Sequence, residues 1–307
     1  MSGLCAGRVC VVTGAAQGIG RAHVEALVAA GARVVVNDVD AEAVHDVVAA
    51  LQSANPEAPD TPVAPDTPVA VGHVGDVSTA AGAEALVGTA LDTWGRLDVV
   101  VNNAGIARDR MLVNLSEDDW DAVLNVHLRS TFLVTRQAAR LWRERSKAGD
   151  AVDARVVNTV SSVGLYGHVG QANYAAAKGA LASFTITASM ELGRYGATVN
   201  ALCPTALTPM TEAVGLGDTD EARSGALDPT WVSAPLVWLA SPLSADVTGR
   251  VIVASGKRLA IAEGWHRGPT GAPVANPADV DAAIRPLLAA ATPNADVQGD
   301  IPTPVRS

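Results

Sequence analysis

The sequence predicts an α/β fold: a doubly wound parallel sheet, built as a single domain with a C-terminal extension. Three observations predict it. Short Val-rich runs alternate with helix-forming segments from Arg8 to Ala254. Those runs are continuous in valine rather than alternating with polar residues, the pattern of parallel strands buried on both faces. Of the 307 residues, 49% are apolar and 18% charged, which excludes a chain disordered over its whole length.

The first run, Arg8–Thr13 (RVCVVT), reads as a strand and Gly18–Ala30 as the helix after it. Arg33–Asp38 (RVVVND) and Ala41–Ser53 repeat the pair. A third strand near Val69–Val74, a helix near Thr79–Thr93 and a fourth strand at Leu97–Val101 follow. Helices from about Ser116 to Arg145 lead to a strand at Arg155–Val160. A long helix near Ala172–Arg194, a strand at Thr198–Leu202, a helix at Asp228–Ala240 and a last strand at Arg250–Ala254 complete the series. No linker interrupts it, so residues 1–264 form one layered domain.

Three stretches are additions to that pattern. The hexapeptide APDTPV occurs twice, at Ala58–Val63 and Ala64–Val69. Proline removes backbone donors, so the inserted stretch near 55–70 reads as an exposed loop. Ser146–Ala154 (SKAGDAVDA) is a second polar insertion. Residues 265–307 are rich in Pro, Gly and Ala, with one helix expected: Asn276 as cap, Pro277 in the first turn, then apolar Val280, Ile284, Leu287 and Leu288. One helix cannot make its own core, so this segment is expected to dock on the domain.

Charge and composition exclude several functions. A net charge of −10 and a pI near 5.0 argue against a nucleic-acid or anionic-membrane partner. No cationic leader precedes a long apolar run, and no uncharged stretch reaches the ~18 residues of a membrane span. Cys5, Cys10 and Cys203 show no metal or redox spacing and read as reduced thiols of a cytoplasmic protein.

The chemistry concentrates at strand ends. Thr13-Gly14-Ala15-Ala16-Gln17-Gly18-Ile19-Gly20 lies between the first strand and first helix. Gly14, Gln17, Gly18 and Ile19 are the expected contacts of a pyrophosphate, because glycines admit it to the backbone and the helix N-terminus offers free N–H groups. The spacing is GxxxGxG rather than GxGxxG. Asp38 ends the second strand, where a carboxylate accepts both adenosine ribose hydroxyls and repels a 2′-phosphate; this predicts NAD over NADP. Asp76, with Val77 beside it, ends the third strand and faces the expected adenine position; its plainer role is a helix cap. After the fourth strand, Asn102-Asn103-Ala104-Gly105 supplies small residues beneath a cofactor and an asparagine able to tie strand ends, with Asn103, Ala104 and Gly105 as contacts.

Tyr174 and Lys178 are four residues apart on a helix and project from one face. A free phenol has a pKa near ~10, too high for proton transfer at neutral pH. An ammonium beside it favours the phenolate and lowers that value. Ser161, 13 residues earlier, is expected at the end of the fifth strand, its hydroxyl donating to a substrate oxygen. Ser162 is expected to point away.

This set of motifs resembles the short-chain dehydrogenase/reductase family over about residues 7–262. The resemblance implies a Rossmann fold with hydride transfer between a nicotinamide and a carbonyl/alcohol pair. It puts Ser161, Tyr174 and Lys178 in the catalytic positions, with Tyr174 and Lys178 also at the nicotinamide ribose. It implies a homodimer or homotetramer. Two departures stand out. Where the family has a relay asparagine seven residues after a helix tryptophan, this chain has His127 after Trp120. The loop after the sixth strand reads Pro204-Thr205-Ala206-Leu207-Thr208-Pro209-Met210-Thr211, with Thr208 at the carboxamide position. VHLR, NNAGIARDR and YGHVGQANYAAAK resemble the (3R)-hydroxyacyl-CoA dehydrogenase and 17β-hydroxysteroid dehydrogenase subgroup, the multifunctional enzyme type 2-like one. The expected function is NAD-dependent interconversion of a secondary alcohol and ketone on a 3-hydroxyacyl-CoA or hydroxysteroid, including steroid-side-chain CoA. A 3-oxoacyl-ACP reductase using NADPH and a non-catalytic nucleotide sensor are the alternatives. Arg250, Lys257, Arg258 and Arg267 form a basic cluster suited to the phosphates of CoA; an ordinary solvated surface is its plainer reading.

Overall fold

The computed structural model describes residues 3–54, 67–212 and 215–301. The elements run β1 (Val9–Thr13), α1 (Gly18–Ala29), β2 (Arg33–Asp38), α2 (Ala41–Ala54), β3 (Ala70–Val74), α3 (Ala80–Trp94) and β4 (Val99–Asn102). Then come α4 (Glu117–Leu124), a π turn over Asn125–Arg129, α5 (Ser130–Lys147), β5 (Ala154–Thr159), α6 (Ser162–Tyr166), α7 (Ala172–Leu192) and β6 (Ala197–Pro204). Short helices α8 (Pro209–Glu212) and α9 (Asp220–Arg223) precede α10 (Thr230–Ala240), β7 (Val251–Ala254), β8 (Leu259–Ala262) and α11 (Val280–Ala290).

The strands form one sheet in the order β3-β2-β1-β4-β5-β6-β7-β8. All neighbours are parallel except β7 and β8. Valine makes this sheet: Val9, Val11, Val12, Val34, Val35, Val36, Val99, Val100 and Val101 are fully buried. Alternate residues of a strand face opposite sides, so the same strands feed two cores. Val12, Val34, Val36, Val99 and Val101 pack with α1, α2 and α10, whereas Val9, Val11, Val35 and Val100 pack with α3 and α5. Each fully buried Val or Leu contributes roughly 1.5–3 kcal/mol, so aliphatic number replaces aromatic size in this core.

Polar side chains pin the strand ends. Asn102 Nδ2 donates to Asn158 Oδ1 at 2.9 Å and Asn158 Nδ2 donates to Thr185 Oγ1 at 2.9 Å, linking β4, β5 and α7. The strand order turns outward in both directions from the β1–β4 pair, and the crevice at such a switch point is the ligand position of open α/β sheets.

Four expectations need correction. Residues 250–254 are not the last strand: Arg250 lies outside β7, and β8 returns antiparallel along it. The fifth strand stops at Thr159, and Ser161 caps α6 instead, its hydroxyl accepting from Val163 N at 3.2 Å. In the tail, Asn276 caps its turn as expected, accepting from Ala278 N at 3.1 Å. The apolar face of α11 does not dock on the domain as expected, however: Val280, Ile284 and Leu288 are exposed, and Leu287 is half-buried beside Gly271. The tail instead returns at residues 296–300, where Arg258 donates to Gln298 O (2.7 Å) and Asp300 (3.2 Å), and Gly299 packs on the Tyr166 ring. The fourth correction concerns the basic cluster. Lys257 pairs with Glu221 at 2.7 Å and Arg258 with Asp300, so both carry carboxylate partners. The first APDTPV copy and the start of the second lie outside the described residues, whereas Ser146–Ala154 spans the end of α5 and the loop into β5.

Candidate active site

A cavity of about 520 Å³ opens at the C-terminal ends of the parallel strands. Gly14, Gln17, Gly18, Ile19, Asp38, Asp76, Val77, Asn103, Ala104, Gly105, His127, Ser161, Tyr174, Lys178 and Thr208 all line it. Residues drawn from eight separate stretches of sequence therefore converge on one space.

One end is shaped for a dinucleotide. Gly14 adopts φ +61°, and a Cβ on it would fall 2.8 Å from Ala104 Cα. A Cβ on Gly20 would fall 2.0 Å from the Gly14 carbonyl oxygen. Only glycine permits both approaches, which bring the β1–α1 loop down onto the loop after β4. The N-terminus of α1 has no side-chain cap and no acidic residue in its first turn. Gly18, Ile19 and Gly20 of that turn line the cavity, the kind of place where helix N–H groups receive an anion. Asp38 closes the loop from the side, Oδ2 accepting from Ala16 N at 3.3 Å and Oδ1 from Val39 N at 2.8 Å. Asp76 is not the cap of α3: Thr79 fills that role, accepting from Gly82 N at 3.0 Å, and Asp76 accepts from Ser78 N at 2.8 Å. Asn103 Nδ2 donates to the carbonyls of Thr13 (3.1 Å) and Gly14 (3.0 Å), locking the two loops together. These residues fit a nicotinamide dinucleotide.

At the other end Ser161, Tyr174 and Lys178 meet. Lys178 is 2% exposed, donates to Thr159 O at 2.6 Å and holds Nζ 5.6 Å from the centre of the Tyr174 ring. Burial lowers its pKa to about 7. Burial also pushes Tyr174 up to about 12, against a smaller opposing effect of the Ser161 hydroxyl. The Lys178 ammonium is expected to lower the phenol's pKa; within the chain itself, desolvation of the phenolate outweighs the charges around it. The expectation for Ser162 is corrected. It begins a helix rather than extending a strand, so strand alternation does not turn it away, and it lines the cavity with Ser161.

His127 sits in the π turn with its ring edge-on to Tyr174, centroids 5.2 Å apart. Its Nε2 lies 3.1 Å from the Ile106 N–H and 2.8 Å from the Ile106 carbonyl oxygen, so either tautomer finds a partner there. Nδ1 is buried without a partner among the described residues. Burial lowers the pKa to about 3, with the Lys178 charge adding to the effect. Thr208 is engaged with Thr211, the two hydroxyls 3.1 Å apart.

Several lining or supporting residues escaped the sequence reading. Asn37 donates to His73 O and Gly75 O, both at 3.1 Å, and holds the β3 exit loop. Asn173 is fully buried; Oδ1 accepts from Tyr174 N at 2.8 Å and Nδ2 donates to Arg108 O at 3.0 Å. For Asn37 and Asn158 the available signal was a polar residue inside an apolar strand run.

The family model described as short chain dehydrogenase matches residues 8–218. The chain belongs to the short-chain dehydrogenase family. It is an oxidoreductase acting on CH–OH donors, and its Rossmann-like sheet is that family's fold. The short-chain dehydrogenase is 45% identical over 266 residues to the hydroxyacyl-CoA dehydrogenase ChsB1 of Mycobacterium tuberculosis, covering 85% of this chain and 81% of that one. It is 38% identical to the peroxisomal multifunctional enzyme type 2 of Mus musculus over 76% of this chain and 30% of that longer one. A solved short chain dehydrogenase from Mycobacterium avium superposes with a TM-score of 0.84 at 42% identity, over 96% of this chain and 99% of that one. These likenesses agree with the subgroup expected from the sequence.

Proposed function

We propose that this short-chain dehydrogenase oxidises the secondary alcohol of a 3-hydroxyacyl-CoA, or of a related hydroxysteroid or steroid-side-chain CoA, with NAD. The observation that carries this is the meeting of Ser161, Tyr174 and Lys178 at one end of the cavity whose other end carries Asp38 and the open N-terminus of α1. The name of the 45% identical hydroxyacyl-CoA dehydrogenase supports the substrate class.

In this reading Gly14, Gln17, Gly18 and Ile19 hold the diphosphate, Asp38 the adenosine ribose, Asp76 and Val77 the adenine side, and Asn103, Ala104, Gly105 and Thr208 the nicotinamide half. NAD⁺, when bound, would supply the hydride acceptor. Ser161 donates a hydrogen bond to the substrate oxygen. Tyr174, as phenolate, takes the hydroxyl proton. Lys178 orients the ribose and contributes charge next to the ring. His127 stays neutral and offers Nδ1 to the polar groups of the cleft. Residues 1–264 are the catalytic unit and 265–307 an extension of it. We take the protein to work in the cytoplasm as a homodimer or homotetramer, a reading supported by three buried free cysteines and by the resemblance to oligomeric relatives.

The cofactor assignment is tested by comparing NAD and NADP in initial-rate assays. Wild type should favour NAD, and Asp38→Ala should erode that preference by about tenfold, because one charge-assisted contact is lost and one repulsion removed. Selectivity unmoved by Asp38→Ala, or a preference for NADPH in reduction of a 3-oxoacyl-ACP, would remove the assignment.

A further inference from the structure

A CoA substrate carries phosphates, and two of the four residues of the cluster expected to receive them carry carboxylate partners: Lys257 has Glu221 and Arg258 has Asp300. Beside Tyr174 the structure holds a different cationic feature. Asp109 Oδ2 accepts from Gln171 Nε2 at 2.8 Å, and its other oxygen is buried. Arg110 forms a β-bridge with Gln171. Along an extended segment successive side chains alternate, so Asp109 turned inward leaves Arg108 and Arg110 outward, and both are exposed. Arg108 faces Asp119 at 3.9 Å. Arg110 donates only to the Asp109 carbonyl, at 2.8 Å, and has no carboxylate partner among the described residues.

The bridge fixes where Arg110 stands. Bridged backbones run about 4.8 Å apart, and Gln171 precedes Tyr174 by three residues, ~4.5 Å of helical rise. Asn173 Nδ2, donating to Arg108 O, clamps the same segment to the start of α7. Beside the arginine lies an apolar strip that nothing among the described residues covers. Met111, Leu112 and Val113 are 54%, 69% and 89% exposed, and Val169, on the loop leading to Gln171, is 76% exposed. His168 adjoins Val169 and is also exposed.

We propose that this strip is the landing site for the CoA moiety of the substrate, with Met111, Leu112, Val113 and Val169 against the pantetheine arm and Arg110 on a phosphate. The proposal rests on the thioester reading above. Its occupant is argued from complementarity: an amphipathic arm ending in phosphates meets an apolar strip ending in an unpaired guanidinium, in a chain whose net charge is −10.

The test compares KM for a 3-hydroxyacyl-CoA, its dephospho-CoA analogue and its N-acetylcysteamine thioester, which has no phosphate. It also measures free CoA binding to the NAD-loaded enzyme by calorimetry, independently of turnover. Arg110→Ala should raise the CoA-to-acetylcysteamine KM ratio by about tenfold and weaken CoA binding to match, as expected for loss of one charge-assisted contact. Arg110→Glu should do so more strongly and Arg110→Lys less. The dephospho analogue reports whether the 3′-phosphate is the one bound. An unchanged ratio in Arg110→Ala, or a larger change in Lys257→Ala, overturns the subsite while leaving the thioester reading intact. A shift of oligomeric state in Arg110→Glu without a change in the ratio overturns it too, and assigns the strip to a contact between copies. If wild type oxidises none of the three thioesters, the thioester reading fails by itself, and tight CoA binding lost in Arg110→Ala still upholds the subsite, whereas its absence ends it.

Discussion

His127 differs chemically from the asparagine usual at its position. With a pKa near 3 it is neutral throughout the working range, so it cannot carry a proton as imidazolium there. It can still donate or accept at Nδ1, because Nε2 has a partner in either tautomer. His127→Asn should therefore keep turnover within a few-fold of wild type, whereas His127→Leu should lower kcat by at least about tenfold; steady-state rates check this, and equal rates in His127→Leu would reduce the residue to packing. Gly105 belongs to the same arrangement, since a Cβ there would fall 2.3 Å from His127 Cε1. The Ser161, Tyr174 and Lys178 positions were legible because their chemistry depends on short spacings along the chain. Asn173 was not, since its value lies in three partners, two of them at Arg108 and Asp119, far away in sequence. Nor was the balance at Tyr174, because desolvation depends on what surrounds the ring.

The first βα unit shapes the end of the cavity proposed for the cofactor, and its weak point is the contact between α1 and the loops below. Gly20→Ala puts a methyl into the Gly14 carbonyl. The expected result is displacement of the α1 N-terminus, a loss of about 1–3 kcal/mol of stability as in other overpacked sites, and NADH binding at least about tenfold weaker. Thermal denaturation and NADH fluorescence titration read the two effects, and wild-type binding would contradict them. Elements buried on both faces, such as β1, β2 and β4, were legible because unbroken valine runs have few other uses. β8 was not: LAIA is a short run whose alternating exposure follows only from its place on the sheet edge. The helix α11 was legible as a helix, yet amphipathic spacing states only that a face exists, and here Val280, Ile284 and Leu288 remain exposed among the described residues.

For the whole molecule, two buried neutral histidines set the response to acid. His23, against Ser233 Oγ at 2.9 Å, and His127 both have folded pKa values of about 3, below the ~6.5 of an unfolded histidine. The unfolded state therefore binds more protons between those values, so the stability they contribute is complete above pH 6.5 and declines as pH falls toward 3. At pH 5 each costs about 2 kcal/mol by this linkage. Tm should fall between pH 7.5 and 5, and His23→Gln should flatten the fall; a variant with the wild-type slope would show that His23 is not the cause. The single-domain reading follows from the same scale, because the cavity draws on β1, β2, β3, β4, β5, α7 and the loop after β6 at once. The central claim is that this cavity oxidises a 3-hydroxyacyl thioester through Tyr174. Its most direct test is NADH formation from a 3-hydroxyacyl-CoA and NAD⁺ by wild type and Tyr174→Phe, with NADH binding measured on both. The account predicts turnover in wild type, a loss of about 10²–10⁴-fold in Tyr174→Phe, and NADH affinity little changed. Turnover retained in Tyr174→Phe would contradict it.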